Sequence, residues 1–284
     1  MLALERELAF ARELAARCGD LALRQRRGGP EALDAHEKPA GEGLVTRADT
    51  ELNRVIVEAI AAAFPGDTVV AEEAAGPDPR RGDEDRCWYI DPIDGTVEYA
   101  RGELSWAIHI GLCVGGRPTL GVVHEPARDR MSWGVLDPAG SVALCRVGQA
   151  PPRPLAPSRR GRDALRLASS KNHSSRRTHE VLRILDIEPA DNLRMGSTGV
   201  KMTAVARAEV EVYINPRGRT KLWDSCAPEA VLVAAGGVVT DLHGRPLDYR
   251  GALANARGIL ASDGHDHSAL VERLRPLAAT WFPG

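Results

Sequence analysis

Apolar positions recur at helical spacing over residues 2–25, where Leu4, Leu8, Ala11, Ala15 and Cys18 fall on one face. Gly28-Gly29-Pro30 stops this predicted helix, and a loop rich in Glu, Lys and Gly follows at about 34–43. Helical spacing resumes over 49–64 through Leu52, Ile56 and Ile60 and ends at Pro65-Gly66. Short apolar runs at 68–71 and 87–90 predict two strands, the first delivering Glu72-Glu73 and the second Asp91. From residue 105 the pattern becomes a β-meander with strands at 105–114, 119–124, 131–136 and 141–146. Its breaks are Gly115-Gly116-Arg117-Pro118, Pro126 and Asp137-Pro138-Ala139-Gly140. Four prolines between 151 and 157, followed by Arg159-Arg160-Gly161-Arg162, interrupt every periodicity and mark the expected boundary between domains 1–155 and 156–284.

Beyond that boundary strands and helices mix. A strand at 164–169 leads to a helix at 175–185, and Met195-Gly196-Ser197-Thr198 opens another helix to about 207. A strand follows at 210–214. Asp224 precedes a helix running through 231, with Pro228 tolerable in its first turn and Gly236-Gly237 at its end. Strands at 238–241 and 258–262 and a final helix at 265–277 complete the chain. Both halves therefore argue for an α/β (α+β) arrangement of layers sharing one cleft.

Composition narrows the function. The 284 residues are 43% apolar and 27% charged, as in an ordinary soluble domain. A formal net charge of −2 gives no reason to expect a nucleic-acid polymer or an anionic membrane as partner, so any basic binding surface must be local. No stretch resembles a signal-peptide core or reaches transmembrane length, and a cytoplasmic location is the default expectation. The five cysteines (Cys18, Cys87, Cys113, Cys145 and Cys226) form no CxxC pair, which leaves reduced core thiols rather than a zinc knuckle or disulfide framework.

The densest chemistry lies in Trp88-Tyr89-Ile90-Asp91-Pro92-Ile93-Asp94-Gly95-Thr96. An apolar strand delivers two carboxylates three residues apart, with the Ile93 carbonyl between them as a third hard oxygen. Such oxygen sets suit Mg²⁺. Gly95 and Thr96 follow with free backbone N–H groups at the start of a short helix, a geometry that receives phosphate. Further acids stand where the chain leaves an apolar element: Glu72-Glu73, Asp49 after Val45-Thr46, and Asp224 after Trp223. Taken singly, helix capping explains Asp49 or Asp224, and a solvated turn explains Glu72-Glu73. Haloacid-dehalogenase phosphatases require Asp-x-Asp, and Asp91 and Asp94 are one residue too far apart; an EF-hand would need acids at alternate positions.

Together these segments resemble the inositol monophosphatase superfamily of Mg²⁺-dependent, lithium-sensitive phosphatases. That pattern is a Glu-Glu pair, Asp-Pro-Ile/Leu-Asp-Gly-Thr, and a Trp-Asp opening a helix that ends in Ala-Gly-Gly. The chain supplies Glu72-Glu73, Asp91-Pro92-Ile93-Asp94-Gly95-Thr96, and Trp223-Asp224 with Ala235-Gly236-Gly237. The resemblance implies a layered αβαβα sandwich, with most metal ligands in the first domain. It also implies that Glu72, Asp91 and the Ile93 carbonyl hold one Mg²⁺, and that Asp91, Asp94 and Asp224 hold a second. Asp49 and Glu72 match the position that sets up a third metal and the nucleophilic water, with the Thr96 hydroxyl in that relay, and the Gly95 and Thr96 amides would take the phosphate.

Within the superfamily, the 3′(2′),5′-bisphosphate nucleotidases are resembled most. The stretches that carry this are Ser170-Lys171-Asn172-His173-Ser174, Gly196-Ser197-Thr198-Gly199-Val200-Lys201 and Lys221-Leu222-Trp223-Asp224-Ser225-Cys226-Ala227-Pro228-Glu229. By resemblance, Ser170 and His173 lie near the nucleotide, and Lys201 and Arg219 meet its second phosphate. Inositol-specific members usually carry an acid ahead of the Trp-Asp, and Asn215-Pro216-Arg217-Gly218-Arg219 has none. The expected activity is removal of the 3′-phosphate from adenosine 3′,5′-bisphosphate. Inositol monophosphatase or fructose-1,6-bisphosphatase activity, and a non-catalytic metal-dependent binding role, stand as alternatives. A homodimer is expected from relatives only.

Overall fold

The computed structural model describes residues 4–29, 33–38, 43–73, 85–158, 165–172 and 176–283. The chain opens with helix α1 (Glu5–Arg27), whose acidic first turn and basic last turn both complement the helix dipole. A two-stranded hairpin follows, β1 (His36–Glu37) against β2 (Leu44–Val45), in a stretch read from the sequence as loop. Helix α2 (Arg47–Ala63) begins two residues earlier than its apolar spacing suggested, because Thr46 caps it and Asp49 occupies its third position.

Strands β3 (Thr68–Ala71) and β4 (Arg86–Asp94) pair in parallel. The short helix α3 (Thr96–Ala100) leads into an antiparallel meander of β5 (Ala107–Val114), β6 (Arg117–Glu125), β7 (Arg130–Val135) and β8 (Val142–Val147). A last edge strand, β9 (Arg153–Pro154), pairs with Leu144 and Cys145 inside the proline-rich stretch that sequence periodicity treated as a break. An edge position tolerates proline because its missing N–H faces away from the ladder. These strands form one sheet in the order β3-β4-β5-β6-β7-β8-β9.

The second half supplies β10 (Leu167–Ser170), α4 (Arg176–Leu185), β11 (Asn192–Met195), α5 (Thr198–Ala206), β12 (Val212–Asn215), α6 (Leu222–Ala234), β13 (Val238–Thr240), β14 (Ile259–Ser262) and α7 (His267–Trp281). Its sheet runs β11-β10-β12-β14-β13. Strand β11 is too short and polar to have been visible as a strand from periodicity. It exists because it pairs in parallel with β10.

Three apolar clusters show the layering. Helices α1 and α2 cover one face of the larger sheet, burying Leu14, Leu52 and Ile56 against Trp88, Ile90 and Ile110. Helices α5 and α6 fill the space between the sheets, and α4 and α7 cover the far face of the smaller sheet with Leu182, Leu185, Leu270 and Leu274. The result is the layered αβαβα sandwich. It explains why β4 reads as an unbroken apolar run: Trp88 and Ile90 face the outer layer, and Cys87 and Tyr89 face the inner one.

The depth of α6 is set by glycines. Gly111, Gly121 and Gly134 lie side by side across β5, β6 and β7. A Cβ added to Gly121 would stand 2.0 Å from the Ala227 carbonyl oxygen, and one on Gly111 would stand 2.7 Å from the Ala227 nitrogen. The helix therefore rests on bare backbone. Because Asp224 sits in its first turn, this contact also fixes how far that carboxylate reaches toward β4.

Candidate active site

Strand β4 brings Asp91 and Asp94 to its end. Its pairing with β5 runs in register to Asp91 opposite His109 and resumes with Asp94 opposite Ala107, so a bulge separates the two acids. A bulge re-aims side chains without ending the strand. Asp91 is buried, and its Oδ1 accepts the Ile93 N–H at 3.1 Å. Gly95 then takes φ = +96°, a conformation glycine adopts freely, and α3 starts at Thr96.

Thr96 closes a small relay. Its hydroxyl lies 3.0 Å from Asp49 Oδ1 and 3.1 Å from the Ile93 carbonyl. Asp49 Oδ2 accepts both the backbone N–H of Thr46 at 2.9 Å and its hydroxyl at 2.5 Å. Capping and a place in the site are thus not alternatives for this acid. Burial pushes the Asp49 pKa up to about 7, against the hydrogen bonds from Thr46 that favour the charged form.

Glu72 stands just after β3, tied to β4 by its backbone N–H on the Ile90 carbonyl at 3.1 Å. Lys38 bridges Glu72 at 2.7 Å and Glu73 at 2.5 Å. Asp224 repeats the pattern of Asp49: its Oδ2 caps the Lys221 N–H at 2.8 Å. Burial, then the charges of Asp94 and Glu72, raise its pKa to about 8. Asp91 is raised well above the carboxylate range, by burial first and then by the charges of Glu72, Asp94 and Asp224, and shares hydrogen bonds with Glu72 and Asp224. Acids crowded so that each resists ionising are a setting in which a divalent cation would supply the missing positive charge and let them ionise together. Asp91, Asp94 and His109 each place a ligand-type atom within 4.8 Å of the others, a possible metal-binding group. Glu72, Asp91 and Asp94 offer the hard oxygens that fit Mg²⁺, and the Ile93 carbonyl is beside them.

Asp94 faces a clamp that sequence reasoning missed. Its Oδ2 accepts Ser197 Oγ at 2.6 Å and the Gly199 N–H at 2.9 Å, and His109 Nε2 lies 3.3 Å away. Ser197 holds φ = +50°, a strained value for a residue with a side chain, while also capping α5 through Val200. Gly199 is obligatory for a simpler reason: a Cβ there would fall 2.0 Å from His109 Nε2. Burial lowers the His109 pKa and keeps its ring neutral. His109 was uninformative in the sequence, and only its register opposite Asp91 exposes its position.

Of the expected substrate residues, Ser170, Lys201 and Arg219 line a recess of about 230 Å³, with Tyr213 and Asp224 also in its wall. Lys201 is only 5% exposed. Its ammonium donates to the Gly196 carbonyl at 3.2 Å and lies over the Tyr213 ring. Burial lowers its pKa, and the charges of Asp94, Glu98 and Asp224 oppose that shift, so it serves these acids as an internal counter-charge. Arg219 is exposed at the rim. His173, expected near a nucleotide, lies outside the described residues. His267 joins Thr240 at 3.0 Å and Ser262 at 2.8 Å, away from this recess.

Fold and site together define a layered α/β phosphatase scaffold with buried acids at the end of strand β4. The match to known proteins agrees. Residues 3–278 match the inositol monophosphatase family, and the chain belongs to that family. It is accordingly a phosphatase, a phosphoric monoester hydrolase. It is 33% identical over 253 residues to 3′-phosphoadenosine 5′-phosphate phosphatase of Mycobacterium leprae, with 86% of this chain and 84% of that protein covered. It is 29% identical to inositol monophosphatase 3 of Xenopus laevis, with 95% and 82% covered. Among solved structures, inositol monophosphatase from Anabaena superposes with a TM-score of 0.73 at 26% identity, covering 96% of each chain. Among the described residues no helix is long and apolar enough to cross a membrane.

Proposed function

We propose that this chain is a Mg²⁺-dependent phosphomonoesterase that removes the 3′-phosphate of adenosine 3′,5′-bisphosphate to give AMP. The observation that carries this reading is the recess beside Asp224, whose wall includes Ser170, Lys201 and Arg219. These are residues that the resemblance to bisphosphate nucleotidases ties to the nucleotide. The similarity to the M. leprae phosphatase points the same way.

Glu72, Asp91 and the Ile93 carbonyl would hold one Mg²⁺, and Asp91, Asp94 and Asp224 a second. Bound there, the cations would supply a water of lowered pKa and charge neutralisation at the leaving oxygen. The protein's own groups do the rest. Asp49 and Glu72 orient the attacking water, with Asp49 as its proton acceptor and the Thr96 hydroxyl keeping the Asp49 carboxylate aligned at 3.0 Å. The Gly95 and Thr96 amides receive a phosphate oxygen. The Ser197–Gly199 clamp holds Asp94 in place through its Oδ2.

The test is phosphate release with Mg²⁺ from adenosine 3′,5′-bisphosphate, inositol 1-phosphate and fructose 1,6-bisphosphate side by side. The nucleotide should give the highest kcat/KM. A preference for inositol 1-phosphate would overturn the substrate assignment and favour the activity named for the Xenopus relative.

A further inference from the structure

Glu98 is a buried acid that the metal-binding set does not use. It lies in α3 two residues after Thr96 and is only 4% exposed. The charges that act on it are those of Lys201, Asp94 and Glu103. A carboxylate here repels Asp94 and an incoming phosphate alike, so electrostatics gives no reason for its presence. Its hydrogen bond does: Glu98 Oε1 accepts the Asn172 side-chain N–H at 2.7 Å, across 74 residues of sequence. We propose that Glu98 is a positioning residue that, through Asn172, holds the segment after β10 against the recess and so sets the fit of the ester's leaving group. This inference rests on the reading that the recess takes that leaving group.

Asn172 follows closely on the part of β10 that walls the recess, where Ser169 and Ser170 line it. Backbone contacts tie this segment to β11, within its own sheet: the Lys171 N–H bonds the Met195 carbonyl at 2.9 Å, and Arg194 donates to the Lys171 carbonyl at 2.5 Å. Two side-chain contacts carry it across to the α3 side. One is the ion pair of Lys171 with Glu103 at 2.6 Å, whose side chains are 49% and 25% exposed. Exposed pairs of this kind contribute little. The other is the bond from Asn172 to Glu98, which ends on a buried carboxylate. Hydrogen bonds to an ionised acceptor are the stronger class, so this one decides where the segment sits.

Glu98 is itself wedged in place. A Cβ on Gly196 would stand 2.4 Å from Glu98 Cδ and 2.5 Å from its Oε1, and one on Gly95 would stand 3.3 Å from its Oε2. The Gly196 N–H is held in turn by Ser105 Oγ at 2.9 Å. Gly196 directly precedes Ser197, which clamps Asp94. A single carboxylate thus lies against the Gly95 turn, the start of the clamp and the segment beside the recess. The recess wall is thereby registered to the end of the site where the phosphate is received.

The experiment measures KM and kcat with Mg²⁺ for adenosine 3′,5′-bisphosphate, inositol 1-phosphate and p-nitrophenyl phosphate. The proteins are wild type, Asn172→Ala, Asn172→Asp and the double variant Glu98→Gln/Asn172→Asp. Asn172 is exposed, so its replacements do not threaten the fold. Asn172→Ala removes the donor, Asn172→Asp sets two carboxylates face to face, and the double variant restores one bond with its direction reversed. KM for the nucleotide should rise about tenfold in the alanine variant, as loss of a hydrogen bond to a charged group allows, and further in the aspartate variant. The double variant should return it to within about threefold of wild type, with kcat little changed throughout, the pattern of lost binding rather than lost chemistry. KM for p-nitrophenyl phosphate, whose leaving group has no sugar to fill the recess, should stay near wild type. An unchanged nucleotide KM in both single variants overturns the tether. An equal rise with p-nitrophenyl phosphate, or a double variant no better than Asn172→Asp, overturns it too. A wild-type preference for inositol 1-phosphate overturns the nucleotide reading alone: the same KM pattern with that ester keeps the tether, and its absence overturns it. No turnover of any ester by wild type overturns both.

Discussion

Magnesium affinity should fall steeply between pH 8 and pH 6, where ordinary carboxylates would leave it unchanged. Burial and the charges of Asp94 and Glu72 hold Asp224 at about 8, far above the usual aspartate value of 3.8. A cation must displace that proton to use the carboxylate. At pH 8 the group is half ionised; at pH 6 its deprotonation costs about 2.7 kcal/mol, since each pH unit below the pKa costs about 1.4 kcal/mol. The difference, about 2–3 kcal/mol, makes Mg²⁺ binding roughly 50- to 100-fold weaker at pH 6. Asp91, raised well above the carboxylate range, acts in the same direction. Burial lowers the His109 pKa, which disfavours a competing imidazolium beside Asp94. The assay is Mg²⁺ titration at pH 6, 7 and 8, followed by calorimetry or by fluorescence of Trp223, the neighbour of Asp224. An affinity that is flat from pH 6 to 8 would refute the claim that these acids hold protons the metal must expel.

Replacing Asp94 with Asn should lower Mg²⁺-dependent phosphate release by more than the roughly 10- to 100-fold that loss of a group supporting a metal ligand costs. The melting temperature should stay close to wild type, because the amide oxygen still accepts from Ser197 and Gly199. Burial raises the Glu229 pKa to about 7 against an ordinary 4.5. The native state thus binds more protons than the unfolded one, and this group's contribution to stability is lost as pH rises from about 4.5 to 7. Glu229→Gln, which keeps the Tyr249 hydroxyl bond at 2.8 Å, should therefore gain about 2–3 kcal/mol relative to wild type between pH 5 and pH 8 in denaturant titrations. A constant offset across pH would count against it. Gly121→Ala places a methyl 2.0 Å from the Ala227 carbonyl oxygen, backbone that cannot rotate aside. Circular-dichroism melts should report a loss of about 3 kcal/mol or more, and near-normal stability would mean α6 does not rest on β6 as described.

The acids were legible in the sequence because strand, bulge and helix start place them locally. Asp91 and Asp94 sit on one strand and Asp49 and Asp224 each in a first helical turn, and neither arrangement needs a distant partner to be noticed. The support around them was not legible. Ser197 and Gly199 reach Asp94 from more than a hundred residues away, and Lys38 reaches Glu72 and Glu73 from a hairpin with no strand-like pattern. The burial of Lys201 was not legible either, since α5 is buried on every side between two sheets and shows no polar face. Arg177 on α4 likewise reaches the Pro216 carbonyl across about 40 residues, because α4 and the β12–α6 connection meet there.

One arrangement recurs at all five acids of the site. Asp49 commits Oδ2 to Thr46, Asp91 commits Oδ1 to the Ile93 N–H, and Asp94 commits Oδ2 to Ser197 and Gly199. Asp224 commits Oδ2 to the Lys221 N–H, and Glu72 commits Oε1 to Lys38. In each, at least one oxygen is held by the fold, and Asp49 commits both, since its Oδ1 also accepts the Thr96 hydroxyl. Fixing one oxygen removes side-chain freedom that a cation would otherwise have to restrain, and the acids stay convergent although their mutual repulsion favours spreading. A capping acid and a metal ligand can be one residue because the two carboxylate oxygens offer about four lone-pair directions and a cap does not use them all. It follows that amide replacements at these positions separate the two roles, keeping the oxygen that the fold uses while removing the charge that the cleft requires.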